Sequence, residues 1–304
     1  MEYYGSIEAG GTKFVCAVAD EALNIVERVS LPTQFPEATL DQVFDFFDGY
    51  KLKSLGVGSF GPIDINQKSS TYGYVTSTPK AGWSNVDFLG ALKERYDIPI
   101  AWTTDVNAAA YGEMHLGAGK ETQNCIYLTV GTGIGGGAVV NGHVLHGFSH
   151  PEMGHISVQR YPNDRIESSC PYHDNCLEGL AAGPALEKRT GMKGQQLEPD
   201  HEVWTIEAFY IAQALMNYSL TLSPEKIILG GGVMKQTHLL AKVRESLKEQ
   251  LADYSTLPML EEYIVGCDLG DNSGTMGCLL LAKEQKNRMK QTNEVGTEVS
   301  NFKN

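Results

Sequence analysis

Two glycine turns, roughly half a chain apart, are each followed by a β-strand rather than a helix. At the first, the apolar stretches 6–9 and 13–19 flank Gly10-Gly11-Thr12, and residues 24–30 alternate as a third strand. At the second, residues 125–130 run into Gly131-Thr132-Gly133-Ile134-Gly135-Gly136-Gly137, and 138–141 read as strand again. A dinucleotide fingerprint or a P-loop places a helix directly after its glycines, so both are excluded. The repeated order predicts two like-folded halves, each presenting one glycine turn.

The rest of the pattern alternates strands with helices. Residues 34–50 predict a helix with Leu40, Val43, Phe44 and Phe47 on one face. Residues 54–59 form a buried strand, 88–96 a helix, and 98–103 a strand that ends at Asp105, before an alanine-rich helix over 106–116. A helix over 204–222 stops before Pro224, and strand 226–229 opens onto Gly230-Gly231-Gly232-Val233-Met234. An amphipathic helix carries Leu240, Val243, Leu247 and Leu251, and a last helix runs from Thr275 to about Met289. This is an α/β class with layered sheets. For 304 residues, two domains are expected. The expected boundaries are a small domain over 1–117, completed by helix 275–290, a larger one over 118–274, and a flexible tail over 291–304.

Charge narrows the function classes. With 24 Lys+Arg against 37 Asp+Glu, the net charge is −13, which argues against nucleic-acid binding through a basic face. A small anion held by a local loop remains compatible. The opening MEYYGSIEAGG lacks the basic and apolar regions of a secretory signal, and no apolar run reaches about 18 residues. A cytoplasmic protein without membrane association is therefore expected. Cys16, Cys125, Cys267 and Cys278 sit among apolar neighbours and read as buried small hydrophobes.

Gly10, Gly11 and Thr12 form either an ordinary hairpin turn or a nest of N–H groups for phosphate, with Lys13 as a further donor or simply the start of a strand. Three glycine clusters, each at the end of a strand, favour a nucleotide held by several loops in a cleft. Asp105, between a strand and a helix, is either an N-cap or a carboxylate aimed at a ligand. Cys170, His173 and Cys176 fall three residues apart, with His155 upstream. Two Cys and two His suit a closed tetrahedral Zn²⁺ site, and His173 between the cysteines is unexplained by a disulfide. His155 can bind metal with one ring nitrogen and a hydroxyl with the other.

These motifs carry a resemblance. Ile7-Glu8-Ala9-Gly10-Gly11-Thr12-Lys13 resembles the first phosphate loop of the actin/hexokinase superfamily, residues 131–137 its second, and residues 228–234 its adenosine loop. Residues 104–110 (TDVNAAA), 151–155 (PEMGH) and the Cys/His cluster resemble the ROK-family sugar kinases over about residues 5–285. The segment TPKAGW at 78–83 and Thr104 point to the bacterial fructokinase branch.

The resemblance implies a two-domain actin-like ATPase (ribonuclease H-like) fold with a cleft between domains, and ATP-dependent phosphorylation of D-fructose to fructose 6-phosphate. It implies Asp105 as general base, with ATP on Gly10, Gly11, Thr12, Lys13, Thr132, Gly133, Gly183, Pro184, Gly230, Gly231, Gly232, Val233 and Met234. Sugar would lie on Glu152, His155, Glu178, Thr104 and Lys80, and structural zinc on His155, Cys170, His173 and Cys176. Mg²⁺ is implied with ATP, though Glu8 stands where related kinases carry Asp. The residues alone also allow Glu152 and Glu178 to be solvated surface groups, Lys80 to contact only its loop, and Pro184 to open a helix. A homodimer is the family expectation. Alternatives are a kinase for mannose or glucose, or a sugar-sensing ROK regulator. The first strand begins by about residue 5, leaving no room for a regulator's helix-turn-helix.

Overall fold

The computed structural model describes the backbone of residues 1–301 and side chains up to residue 289. In chain order the first elements are β1 (Tyr3–Ala9), β2 (Lys13–Ala19), β3 (Ile25–Pro32), α1 (Pro36–Phe47), β4 (Leu52–Ser59), β5 (Tyr74–Val75) and β6 (Val86–Asp87). Then come α2 (Phe88–Arg95), β7 (Ile100–Thr104), α3 (Asp105–Leu116), β8 (Cys125–Val130), β9 (Ile134–Val140), β10 (His143–Val144), α4 (Leu177–Ala181) and α5 (Gly183–Thr190). The last are α6 (Val203–Leu222), β11 (Lys226–Gly230), α7 (Thr237–Leu251), α8 (Leu260–Tyr263), β12 (Ile264–Gly266) and α9 (Ser273–Asn301). The backbone of α9 thus continues past Met289. The side chains of the tail expected over 291–304, and residues 302–304 altogether, lie outside the described residues.

The chain divides into two compact units. The first comprises Met1–Gly112, His146–His150 and Asp271–Asn304, and the second Glu113–Leu145 and Pro151–Gly270. Their sheets share one topology. In the first unit the order is β3-β2-β1-β4-β7, in the second β10-β9-β8-β11-β12. In each, the first two pairs are antiparallel and the last two parallel. The two glycine turns close equivalent hairpins, β1–β2 and β8–β9, as the repeat in the sequence implied.

In the first unit, strand alternation sends Ile7, Ala9, Phe14 and Val57 into a core shared with Val43, Phe47, Trp83 and Phe88. Pro36 starts α1 with its φ already helical and no N–H to satisfy, so α1 begins two residues later than expected. The alternate residues of β1 meet α9, where Tyr4 packs with Leu279 and Ala282. Here glycines permit backbone contact. A Cβ on Gly56 would lie 1.9 Å from the Cys278 carbonyl oxygen, and one on Gly277 1.7 Å from that of Ala108 in α3. Helix α9 therefore rests directly on β4 and α3.

In the second unit, α6 is apolar on most sides and buried along nearly its whole length, against Leu239, Val243 and Leu247 of α7. The loop expected over 131–137 is shorter than its glycines suggest. Residues Ile134 to Gly137 already pair in β9, with Gly136 opposite Leu128. Gly136 is small because a Cβ there would come within 2.7 Å of the Met153 side chain. Cys16, Cys125 and Cys278 are buried as expected, whereas Cys267 is half-buried.

Candidate functional site

The first unit carries Gly10, Gly11, Thr12, Lys13, Lys80, Thr104 and Asp105. The first turn is narrow. Gly10 N–H donates to the Lys13 carbonyl at 3.0 Å, and Thr33 Oγ1 donates to the Gly10 carbonyl at 2.7 Å. Those bonds leave Gly11 and Thr12 exposed at the tip, and Lys13 exposed at the start of β2. Glu8 points from β1 towards the start of α9. Its carboxylate accepts from Thr275 Oγ1 at 2.9 Å, and a Cβ on Gly274 would lie 2.5 Å from the Glu8 carboxyl carbon. Burial raises the Glu8 pKa, with the Thr275 hydrogen bond opposing it.

Asp105 is the first residue of α3 and not its cap. The buried Thr104 performs that role, its hydroxyl accepting from Asn107 N–H at 3.2 Å, while Asp105 Oδ1 accepts from Val106 N–H at 2.9 Å. Lys80 is half-buried in a turn closed by Trp83 N–H donating to the Lys80 carbonyl, and Trp83 Nε1 donates to Gln34.

The second unit holds the remaining candidates. Around the turn at 131–133, Gly183 N–H donates to the Gly131 carbonyl at 2.7 Å. A Cβ on Gly183 would lie 3.1 Å from that oxygen and 4.0 Å from Val233 Cγ2. Gly231 has a φ of +90°, and a Cβ there would meet the Val130 carbonyl at 2.4 Å. The turn, the start of α5 with Pro184 in its first residues, and the segment Gly230-Gly231-Gly232-Val233-Met234 thus come together, with Thr132 and Gly232 exposed.

The Cys/His cluster is assembled from two directions. His155 comes from the 3-10 turn Met153–His155, and Cys170, His173 and Cys176 from the loop ahead of α4. That loop is tied down by Arg160, whose guanidinium donates to the Ile166 and Asp174 carbonyls. The donor atoms all lie within 4.8 Å of one another. Cys170 Sγ is 3.8 Å from His155 Nδ1 and 3.6 Å from His173 Nδ1, and Cys176 Sγ is 3.7 Å from His155 Nδ1. A tetrahedron of two thiolates and two imidazoles at ordinary zinc bond lengths has S···N edges of about 3.6 Å. The donor set therefore fits such an ion in both chemistry and spacing. All six cysteines are free thiols, so no disulfide competes. Without a cation beside it, burial pushes the Cys176 thiol up to about 11.

With Nδ1 turned to the sulfurs, His155 presents Nε2 to Glu178, 3.9 Å from Oε1. Glu178 is half-buried rather than a solvated surface group, and its other oxygen accepts from Ile134 N–H at 2.9 Å. Glu152 is exposed, and its carbonyl accepts from His155 N–H.

Several positioning contacts had no clear sequence signal. Gly154 packs against β9 so closely that a Cβ would lie 1.7 Å from the Ile134 carbonyl oxygen. Tyr218 of α6 donates its hydroxyl to the Met153 carbonyl at 2.5 Å. In the first unit, His150 Nε2 accepts from Ile63 N–H at 3.1 Å, pinning the short strip His146–His150. The glycine of PEMGH could have been read as a close approach. The tyrosine could not, since helical spacing marks it only as core.

The sequence profile of the ROK family matches residues 4–285. The chain is 50% identical to the fructokinase of Pediococcus pentosaceus, over 92% of this chain and 97% of that protein. It is 49% identical to the fructokinase of Streptococcus mutans, over 92% and 97%. Among solved structures, the ROK hexokinase from Thermus thermophilus superposes with a TM-score of 0.78 at 26% identity, covering 94% of this chain and 99% of that one.

Proposed function

Because this chain belongs to the ROK family, whose solved members share the actin-like fold of its two repeated sheets, we propose that it is an ATP-dependent fructokinase converting D-fructose to fructose 6-phosphate. The observation that carries the choice of sugar is the near-50% identity to fructokinases along almost the whole of both chains.

On this reading, the N–H groups at the tips of the turns at 10–12 and 131–133 hold the phosphates of ATP, with the side chains of Thr12, Thr132 and Lys13 adding donors. The start of α5 and residues 230–234, which meet at the second turn, hold the nucleoside. Asp105 accepts the proton of the attacking sugar hydroxyl and orients that oxygen along the line of transfer. A carboxylate suffices, because phosphoryl transfer proceeds through a loose transition state in which positioning dominates. Mg²⁺ would accompany ATP and offset charge on the phosphate oxygens. Support for Glu8 as its direct ligand is weak, because the Glu8 carboxylate is engaged by Thr275 at the start of α9.

Fructose hydroxyls fall to Glu152, Glu178 and His155 Nε2, and the family resemblance adds Lys80 and Thr104. A zinc ion held by His155, Cys170, His173 and Cys176 would fix the His155 tautomer, so that Nε2 faces outward to the sugar. Reduced thiols and ATP both fit a cytoplasmic setting. We assign the chain a homodimer, as is usual for the family, to be checked by light scattering.

The test is coupled ADP release with fructose, mannose, glucose and N-acetylated hexoses, for the wild type and for Asp105→Asn. Fructose is expected to give the highest kcat/KM. The variant should lose at least about two orders of magnitude in kcat, the range of a general base. Preference for another hexose would overturn the substrate assignment, and a fully active variant would remove Asp105 from the mechanism.

A further inference from the structure

Glu178 makes two contacts that point to different ligands. Oε1 lies 3.9 Å from His155 Nε2, on the side assigned above to the sugar. Oε2 accepts from Ile134 N–H at 2.9 Å, at the residue where the turn at 131–133 becomes β9. The approach is tight. A Cβ on Gly133 would lie 2.7 Å from Oε2, so a side chain there would push the carboxylate away from Ile134. Oε2 is thus committed to the glycine turn, whatever occupies the side facing His155.

We propose that Glu178 is a positioning residue for the nucleotide as well as a sugar contact: by holding Ile134 N–H, it fixes the turn at 131–133 in the form that binds phosphate. The inference rests on the kinase reading given above. A hydrogen bond from a backbone N–H to a carboxylate is charge-assisted and stronger than a neutral one. Where the partner on the turn is lost, the turn must be ordered by the nucleotide itself, and that cost appears as weaker binding. Helix α4 strengthens the arrangement. It carries Glu178 in its first turn, two residues after Cys176, whose sulfur accepts from Gly179 N–H at 3.3 Å. The carboxylate is therefore held at the root of the Cys/His cluster, and the cluster, the sugar side and the phosphate turn share one short segment of chain.

The proposal separates from a sugar-only role because it acts when no sugar is present. The experiment is calorimetric titration of the purified full chain with Mg²⁺ and the non-hydrolysable analogue AMPPNP, without fructose. Glu178→Ala is expected to weaken AMPPNP binding about tenfold, the scale of one charge-assisted hydrogen bond. Glu178→Gln keeps an acceptor oxygen and should remain within about threefold of wild type. Gly133→Ala should weaken binding about as much as Glu178→Ala, and the double variant should be no worse than either, since both act through one contact. Thermal melts of each variant identify any that fails to fold, in which case Glu178→Gln and Gly133→Ala carry the comparison. Unchanged sugar-free affinity in folded Glu178→Ala or Gly133→Ala, or strictly additive losses, would overturn the proposal while leaving the kinase reading intact. A wild type that binds no AMPPNP would remove both together.

Discussion

Gly154→Ala is the sharpest available test of how the sugar side is built. Gly154 lies between Glu152 and His155, and its α-carbon faces β9 with no room for a side chain. A Cβ would stand 1.7 Å from the Ile134 carbonyl oxygen and 2.7 Å from its carbon, against a floor near 3.0 Å for real contacts. Backbone is on both sides of the clash, so no rotamer relieves it. Either the Met153–His155 turn or the start of β9 must move by more than about 1 Å, and a misplacement of that size in a positioned group costs on the order of 100-fold in rate. The turn carries His155, so metal retention should suffer as well. Coupled ADP release should show kcat/KM for fructose falling about 100-fold, and elemental analysis a substoichiometric metal content. Gly147→Ala is the matched control, because a Cβ there meets nothing within 4 Å. A Gly154→Ala enzyme within threefold of wild type, carrying its full metal, would refute the reasoning, since it would mean that the turn is not held against β9.

Three further outcomes follow from the same structure. Purified protein should contain about one zinc per chain, and Cys176→Ser should lose most of it while keeping an acceptor for Gly179 N–H at the start of α4; a metal-free wild type of equal stability and activity would count against the site. Tyr218→Phe leaves the Met153 carbonyl without its 2.5 Å partner, so it should cost about 1–3 kcal/mol in a denaturant melt and raise the KM for fructose more than that for ATP; equal shifts in both KM values would reject the positioning role. Burial, opposed only by Arg189, holds the Glu207 carboxyl well above its usual pKa, and neither of its oxygens has a hydrogen-bond partner. Its folded pKa exceeds the unfolded one, so the native state keeps a proton the unfolded chain releases, and stability falls as pH rises above the unfolded carboxylate value. Glu207→Gln removes that titration. It should raise Tm by a few degrees at neutral pH and flatten its decline from acid to neutral; an unchanged or lower Tm would contradict this.

The parts of the fold set by local pattern were legible. Strand alternation around Gly10 and Gly131, and the spacing of Cys170, His173 and Cys176, survive in the structure because each depends on residues close in sequence. What stayed hidden depends on distant partners. The glycines at 135–137 read as loop because glycine usually signals a turn, yet they pair with β8 and leave room for Met153. Glu113 reads as an ordinary helix residue, but its buried carboxylate accepts from Ala118, Asp268 and Leu269 N–H groups, two of them more than 150 residues away. Thr104 is tied to the sugar by the resemblance alone, and only the structure shows its hydroxyl accepting from Asn107 N–H. The second contact of Glu178 is of the same kind, since Ile134 lies 44 residues earlier.

The backbone contact between α9 and β4 bears on how the chain is made. The strands of the first unit precede the second unit in the chain, but the helix that covers β1 and β4 is translated after the whole of it. At about 5–20 residues per second, the roughly 200 residues between β4 and α9 take on the order of 10–40 s to emerge. Throughout that time the strand face around Gly56, which meets Cys278 of α9, has no permanent cover, while nearly all of the second unit has left the ribosome. The N-terminal sheet must therefore wait, shielded by chaperone or by transient collapse, for the C-terminal helix to complete it. A nascent chain stalled before Ser273 is the form of this protein most exposed to aggregation.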